Sequence, residues 1–344
     1  MRIRFAFILM FVFSFLWGMS YLHGEKVTVL NEVLRPERFA IGNGYIYILE
    51  NTTIHIYDLK TYKYVGKFGK EGEGPKEIKK NIFGAPIGLM TFKDKVFITS
   101  SAKVSIFSKT GKYIKEYRVK QFDTFYPFAD RYICMSQASA DGNKKTKVLT
   151  IFLADKKLQK GKILYKSDFE VGMNFKWDFP ITPFYPVIRD DKLFIIAGKD
   201  GFAINIYDKK GNKTGRIFKD VKKLKIPSEY KKETIAWFKG NSNYNKLWDF
   251  FKSKISFKDY YPQIYSAFAG KNRLYVFTNV INGTNRECIV MDFKGKEIKR
   301  LFLFAPEKYG MDFNFKASIN ENYYYWIIEN DKDETWELFR KKIE

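Results

Sequence analysis

The chain has 344 residues, with 61 Lys+Arg against 38 Asp+Glu, a formal net charge of +23, two His and two Cys. That length buries a large core, as one big all-β domain or two smaller domains. Its 45% hydrophobic and 29% charged residues exclude a disordered chain and a multi-span membrane protein. Two cysteines exclude a disulfide scaffold or a cysteine-rich metal module, and two histidines leave little room for chemistry built on several imidazoles.

Residues 1–24 read as an export signal. Arg2 and Arg4 supply the positive end, Phe5 to Trp17 form an apolar run broken only by Ser14, and Gly18, Ser20 and Gly24 are the small residues that follow. The expectation is a periplasmic or secreted protein, membrane-attached only if this segment stays uncleaved. A mature chain from residue 25 carries a net charge of +21 and one histidine, His55. Of the 61 basic residues only 12 are Arg, and the lysines are spread along the whole chain. Nucleic-acid readers favour the Arg fork, so the charge reads as a solvated surface with no specific nucleic-acid site.

Six segments then repeat one form, a polar turn followed by aromatic and β-branched positions. Their centres are Tyr47, Phe97, Ile133, Phe194, Tyr275 and Tyr325. Turn residues such as Asn43-Gly44, Lys93-Asp94 and Asp190-Asp191 precede them. A strand-like stretch lies before each hairpin: Arg38 to Ile41, Gly88 to Phe92, Tyr126 to Ala129, Pro186 to Arg189, Tyr265 to Phe268 and Lys316 to Ile319. Further strands such as Ile204 to Asp208, and turns such as Lys209-Lys210-Gly211-Asn212, complete most units. Four strands in each of six units predict an all-β, six-bladed β-propeller of four-stranded antiparallel blades over residues 25–344.

The intervals are unequal, and the longest, from Phe194 to Tyr275, has a visible cause. Pro227-Ser228 can open a helix, with Ser228 as cap, and Tyr230, Thr234, Trp237 and Phe238 fall on one face. Tyr244, Leu247, Trp248 and Phe251 repeat at helical spacing. A short helical insertion is therefore expected near 225–255, packed on the propeller by its aromatic stripes. The last unit has only three strands, and the apolar stretch Val27 to Val33 has no unit of its own. Pairing the two would close the ring and remove two sheet edges.

Gly66-Lys67-Phe68-Gly69-Lys70-Glu71-Gly72-Glu73-Gly74-Pro75-Lys76-Glu77 resembles the signature of exported bacterial six-bladed β-propellers related to NHL-repeat proteins. In that family a strand ends in a Gly-rich, Gly-Pro-Gly-Glu-type loop. Lys76 stands where the second glycine is usual. The resemblance implies the fold and an inter-blade turn, and says little about function, since propellers host lyases, lactonases, peptidases and binding proteins.

Candidate chemistry is sparse. The Gly-rich loop is not a phosphate cradle, because Pro75-Lys76-Glu77 follows Gly74 in place of Gly-Lys-Ser/Thr. His55 reads as a packed strand histidine, and Cys134 and Cys288 as buried free thiols in units that are not neighbours. No catalytic residue is assigned. The loops entering each unit line one face around the central channel, and their aromatics are suited to stacking sugar rings or holding peptide side chains. The expected ligand-binding residues are Phe125, Tyr126, Trp177, Asp178, Tyr185, Tyr260, Tyr261 and Phe313, with Arg38, Arg189 and Lys316 in or beside first strands and placed to point into the channel. The function expected is a non-catalytic, monomeric binding or scaffold propeller for a glycan, a peptide or an extracytoplasmic protein, with no cofactor. The alternative is a hydrolase or lyase using channel carboxylates such as Asp123, Asp178, Asp259 and Asp312, with calcium as its metal.

Overall fold

The structure, a computed structural model, describes residues 24–79, 87–100, 103–119, 124–140, 143–170, 176–242, 244–310 and 316–344. The expected export segment, residues 1–24, lies outside the described residues except for Gly24, and so does Phe313. Six four-stranded antiparallel sheets form the blades of a propeller. Blade 1 is Arg38–Gly42, Tyr45–Glu50, Thr53–Asp58 and Tyr64–Phe68; blade 2 is Gly88–Phe92, Lys95–Ser100, Lys103–Ser108 and Tyr113–Arg118. Blade 3 is Thr124–Phe128, Arg131–Ala140, Asn143–Ala154 and Lys160–Glu170; blade 4 is Phe184–Arg189, Lys192–Ala197, Phe202–Tyr207 and Lys213–Lys219. Blade 5 is Ser266–Ala269, Arg273–Asn282, Asn285–Asp292 and Glu297–Phe304; blade 6 is Ala317–Asn320, Tyr323–Asn330 and Thr335–Lys342, completed by Glu25–Val29.

The burial of each strand follows from its place in the blade. Second and third strands are covered on both faces by neighbouring blades, so Ile46 to Leu49 and Phe202 to Tyr207 are buried without interruption. Outermost strands face solvent on one side and alternate, as Tyr64–Phe68 does. Each seam between adjacent blades holds its own apolar cluster, from Tyr47, Leu49, Val96 and Ile98 between blades 1 and 2 to Ile46, Ile48, Tyr325 and Ile327 between blades 6 and 1. The first hairpins turn through residues with positive φ, among them Asn43 (61°), Lys93 (52°), Ala129 (52°) and Asp190 (52°). In the last hairpins of blades 1, 3, 4 and 5 the leading Asp58, Asp155, Asp208 and Asp292 each accept two backbone N–H groups, at 2.7–3.0 Å.

Ring closure uses the two ends of the chain. Glu25 pairs with Arg340 and Val29 with Glu337, antiparallel. Arg340 Nε lies 2.8 Å from Glu25 Oε2, and Lys26 Nζ 3.0 Å from Glu337 Oε1. The strand is shorter than the apolar run suggests. Beyond Val29 the chain turns, the Val33 N–H bonding the Leu30 carbonyl at 3.0 Å, and both Leu30 and Val33 are buried between blades 6 and 1.

The insertion between blades 4 and 5 contains α1 (Ser228–Gly240), a 3-10 turn (Asn245–Leu247) and α2 (Trp248–Phe251). Ser228 is the first helical residue and not the cap. Pro227, at φ −71° and ψ 156°, takes the flanking extended position, and no side chain caps the helix. Tyr230, Thr234 and Phe238 are buried, whereas Leu247 is 56% exposed, because the second segment is a 3-10 turn and a single α turn and not one continuous amphipathic helix. The helices pack on a two-stranded parallel ribbon, Trp177–Phe179 with Ile255–Phe257, which sequence patterning gave no sign of.

Candidate functional site

Residues at or near the openings of five of the six first strands, those of blades 1, 3, 4, 5 and 6, come together at the mouth of the central channel. There a cavity of about 630 Å³ is lined by Arg38 and Phe39 of blade 1, Tyr126 of blade 3, Phe184 and Tyr185 of blade 4, Tyr265 to Phe268 around blade 5, and Lys316 and Ala317 of blade 6. One wall comes from outside the blades: Pro180 to Pro183, Tyr230 of α1 and Pro262. The insertion therefore shapes the mouth as well as packing on the ring. Glu37 is the one carboxylate, and no His or Cys lies among the described lining residues.

The tyrosines are held from several directions. The Tyr185 hydroxyl accepts the Ala267 N–H at 2.6 Å across the seam between blades 4 and 5, and burial pushes its pKa well up. Tyr126 sits deep in the channel, where burial raises its pKa and the nearby Arg38 charge pulls it back. The guanidinium of Arg286 lies 3.8 Å above the centre of the Tyr265 ring. Arg286 is fully buried and donates from Nη1 to Asn279 Oδ1 at 2.8 Å and from Nε to the Ala305 carbonyl at 3.3 Å. Asn279 Nδ2 in turn donates to the Pro262 carbonyl at 2.6 Å, so one buried cation fixes both a ring and the wall of the mouth.

Arg38 is different. Its Nε is buried with no hydrogen-bond partner, and no carboxylate lies within ion-pair distance among the described residues. Burial lowers its pKa, against the raising effect of the Tyr126 and Glu37 side chains. Glu37 spends Oε1 on the Asn51 N–H, at 3.3 Å.

Of the residues expected from the sequence, Arg38, Tyr126, Tyr185 and Lys316 meet at this mouth. The Lys316 ammonium also lies 4.7 Å over the Trp336 ring. The strand pleat sends Phe125 the other way, into the seam between blades 2 and 3, where it is 1% exposed against Phe97 and Tyr132. Arg189 ends the strand that Phe184 begins, about 16 Å further along at the rise of a β-strand, with Nε 3.6 Å from Asp190. Trp177, Asp178, Tyr260 and Tyr261 belong to the insertion and its ribbon. Trp177 stacks on Phe238 and Phe251, Asp178 accepts from the Ser256 hydroxyl, Tyr260 is exposed, and Tyr261 donates to Glu307 Oε1 at 2.6 Å. Asp178 and Asp259 are exposed, and Asp123 and Asp312 lie outside the described residues.

Sequence reasoning passed over Tyr230, Tyr265 as a lining ring, Arg286 and the two prolines at 180 and 183. Arg286 had a readable signal. It is in phase with Cys288 and Val290 on a strand of period two, so it must face inward. Elsewhere, His55 is buried with Nε2 3.3 Å from Glu50 Oε2, and burial lowers its pKa in spite of that carboxylate. Cys134 and Cys288 are buried and unpaired, the Cys134 thiol pushed up to about 12 and Cys288 further. Among the described residues no cluster of three His, Cys, Asp or Glu could hold a metal ion, and no helix is long and apolar enough to cross a membrane.

No protein-family model matches the chain, and no curated protein matches it. Among solved structures it is similar to KlHsv2 with loop 6CD replaced by a Gly-Ser linker (TM-score 0.42, 9% identity, covering 90% of this chain and 99% of that one). It is also similar to Kluyveromyces lactis Hsv2p (TM-score 0.38, 9% identity, 89% and 99%). The architecture of this chain is a six-bladed β-propeller, a fold that suits a binding scaffold.

Proposed function

We propose that the chain is an exported, non-catalytic binding propeller that takes a small ligand, or the end of a glycan or peptide, into the mouth of its channel. The convergence of Arg38, Tyr126 and Tyr185 from three blades, with Tyr265 from the entry to a fourth, on one cavity carries this reading. Aromatic walls around a few convergent polar groups are the usual make-up of a small-molecule site. Export is supported by the charged, apolar, small-residue order of residues 1–24. Recovery of the chain from the cytosol with residues 1–24 intact would remove that part.

The test is a thermal-shift screen of residues 24–344 against glycans and short peptides. A ligand at a hundred times its Kd should add about 2.7 kcal/mol to stability. Ser266→Trp, which fills the mouth from a half-buried lining position, should abolish that shift while leaving the ligand-free Tm within a few degrees. A shift that survives Ser266→Trp places the ligand elsewhere, and silence across both panels overturns the proposal.

A further inference from the structure

We propose that the mouth recognises a single carboxylate, gripped by the Arg38 guanidinium, on a ligand whose ring-bearing body lies against Tyr126, Tyr185 and Tyr265; this rests on the mouth being a ligand site. Four other described arginines are withdrawn from solvent, and each has a partner group, although the Arg189 Nε, like that of Arg38, is buried without a hydrogen bond. Arg189 has Asp190, Arg273 has Glu344, Arg340 has Glu25, and Arg286 has the Asn279 side chain, backbone carbonyls and the Tyr265 ring. Arg38 alone in that group has no hydrogen bond and no ion pair among the described residues. A permanently charged fork held half-buried in a cavity, with a donor left unsatisfied, is costly unless something else completes it.

The chemistry of the missing partner follows from what surrounds it. One planar cation with parallel donors matches one planar two-oxygen anion, and the pair is strongest where water is excluded. A phosphate dianion would call for a second cation or a nest of backbone N–H groups at the same spot. The lining sets ring faces and hydroxyls around Arg38 but also holds two lysines, so a phosphate is the rival that the third probe tests. Lys308 and Lys316, also in the lining, give the entrance a positive field that would draw an anion inward. Within the glycans and peptides proposed for the mouth, an acidic sugar and a peptide ending in an aromatic residue each present a carboxylate beside a ring.

Calorimetry on residues 24–344 at low salt separates the cases with matched pairs. One pair is a disaccharide ending in glucuronic acid and its glucose-ended counterpart; the other is N-acetyl-Ala-Tyr and its C-terminal amide. Glucose 6-phosphate is the third probe. At least one acid should bind, its neutral partner should bind about tenfold to a hundredfold more weakly, and Arg38→Gln should bring the acid down to the neutral level. Arg38→Lys should recover only part, because the charge returns without the fork. Whichever acid binds identifies the source.

Equal binding of acid and neutral forms, unchanged in Arg38→Gln but lost in Ser266→Trp, would overturn the carboxylate and leave the site standing. Tighter binding of the phosphate would overturn it as well. No binding by any probe would remove both the carboxylate and the site. Without ligand, Arg38→Gln should melt at or above the wild-type temperature. A variant that fails to fold would show that Arg38 has a structural partner and would count against the proposal.

Discussion

Lys76 has φ of 72°, in the left-handed region that side chains other than glycine enter at a cost of about 1 kcal/mol. It is held there by the loop around it. The Glu77 carboxylate accepts the Gly74 N–H at 3.0 Å, the Ile78 N–H bonds the Lys70 carbonyl at 2.7 Å, and the buried Lys103 ammonium donates to the Gly74 carbonyl at 2.7 Å. The position is therefore one a glycine would fill without strain. Lys76→Gly should raise stability by up to about 1 kcal/mol, and Lys76→Val should lower it by at least as much, both read from urea midpoints. An unchanged midpoint for both would mean that the loop adapts freely to its residue. At this scale the sequence showed roughly where the inner strands lie, and so placed Arg38, Tyr126, Tyr185 and Lys316 in or beside them, although the starts at Thr124, Phe184 and Ala317 differ by one or two residues. It could not show that the pleat turns Phe125 away from the channel, because in a strand buried on both faces the two sides look alike in composition.

At the scale of elements, closure of the ring was legible because a leftover apolar stretch and a three-stranded last unit have one economical resolution. Leu30 and Val33 then seal the seam that Glu25–Val29 creates. Leu30, at 1% exposure among Ile46, Tyr325 and Leu338, should cost about 3 kcal/mol when replaced by alanine. The urea midpoint measures this, and a loss below about 1 kcal/mol would mean that the closing segment adds little. The insertion was legible as helices but not as a wall of the mouth. Its aromatic spacing tells that Phe238 and Tyr230 face a partner surface. Which surface depends on the ribbon of Trp177–Phe179 and Ile255–Phe257, whose strands lie far apart in sequence and carry no periodicity of their own at three residues each.

The whole molecule carries a formal net charge of +23, and many of its ion pairs are at the surface, such as Arg216 with Asp200 and Lys252 with Asp249. Exposed pairs of that kind contribute little, whereas self-repulsion of the excess lysines opposes compaction at low ionic strength. The Tm should therefore rise by a few degrees between 20 and 300 mM NaCl, both chosen to bracket the screening range. A fall over that interval would mean that attractive pairs outweigh the excess charge.

The direction of the closing strand has a consequence for how the protein is presented. Glu25 pairs with Arg340, which in turn faces Tyr325 and Ser318, while Val29 lies level with Glu337 and Ile328, nearer the end of the blade where Lys316 lines the mouth. The strand thus runs upward toward the mouth, and its start points to the opposite face. Gly24, where the described chain begins, lies toward the side of the blade away from the mouth. A dye or a surface attachment placed at Gly24 would therefore leave the tyrosine-lined opening clear of it.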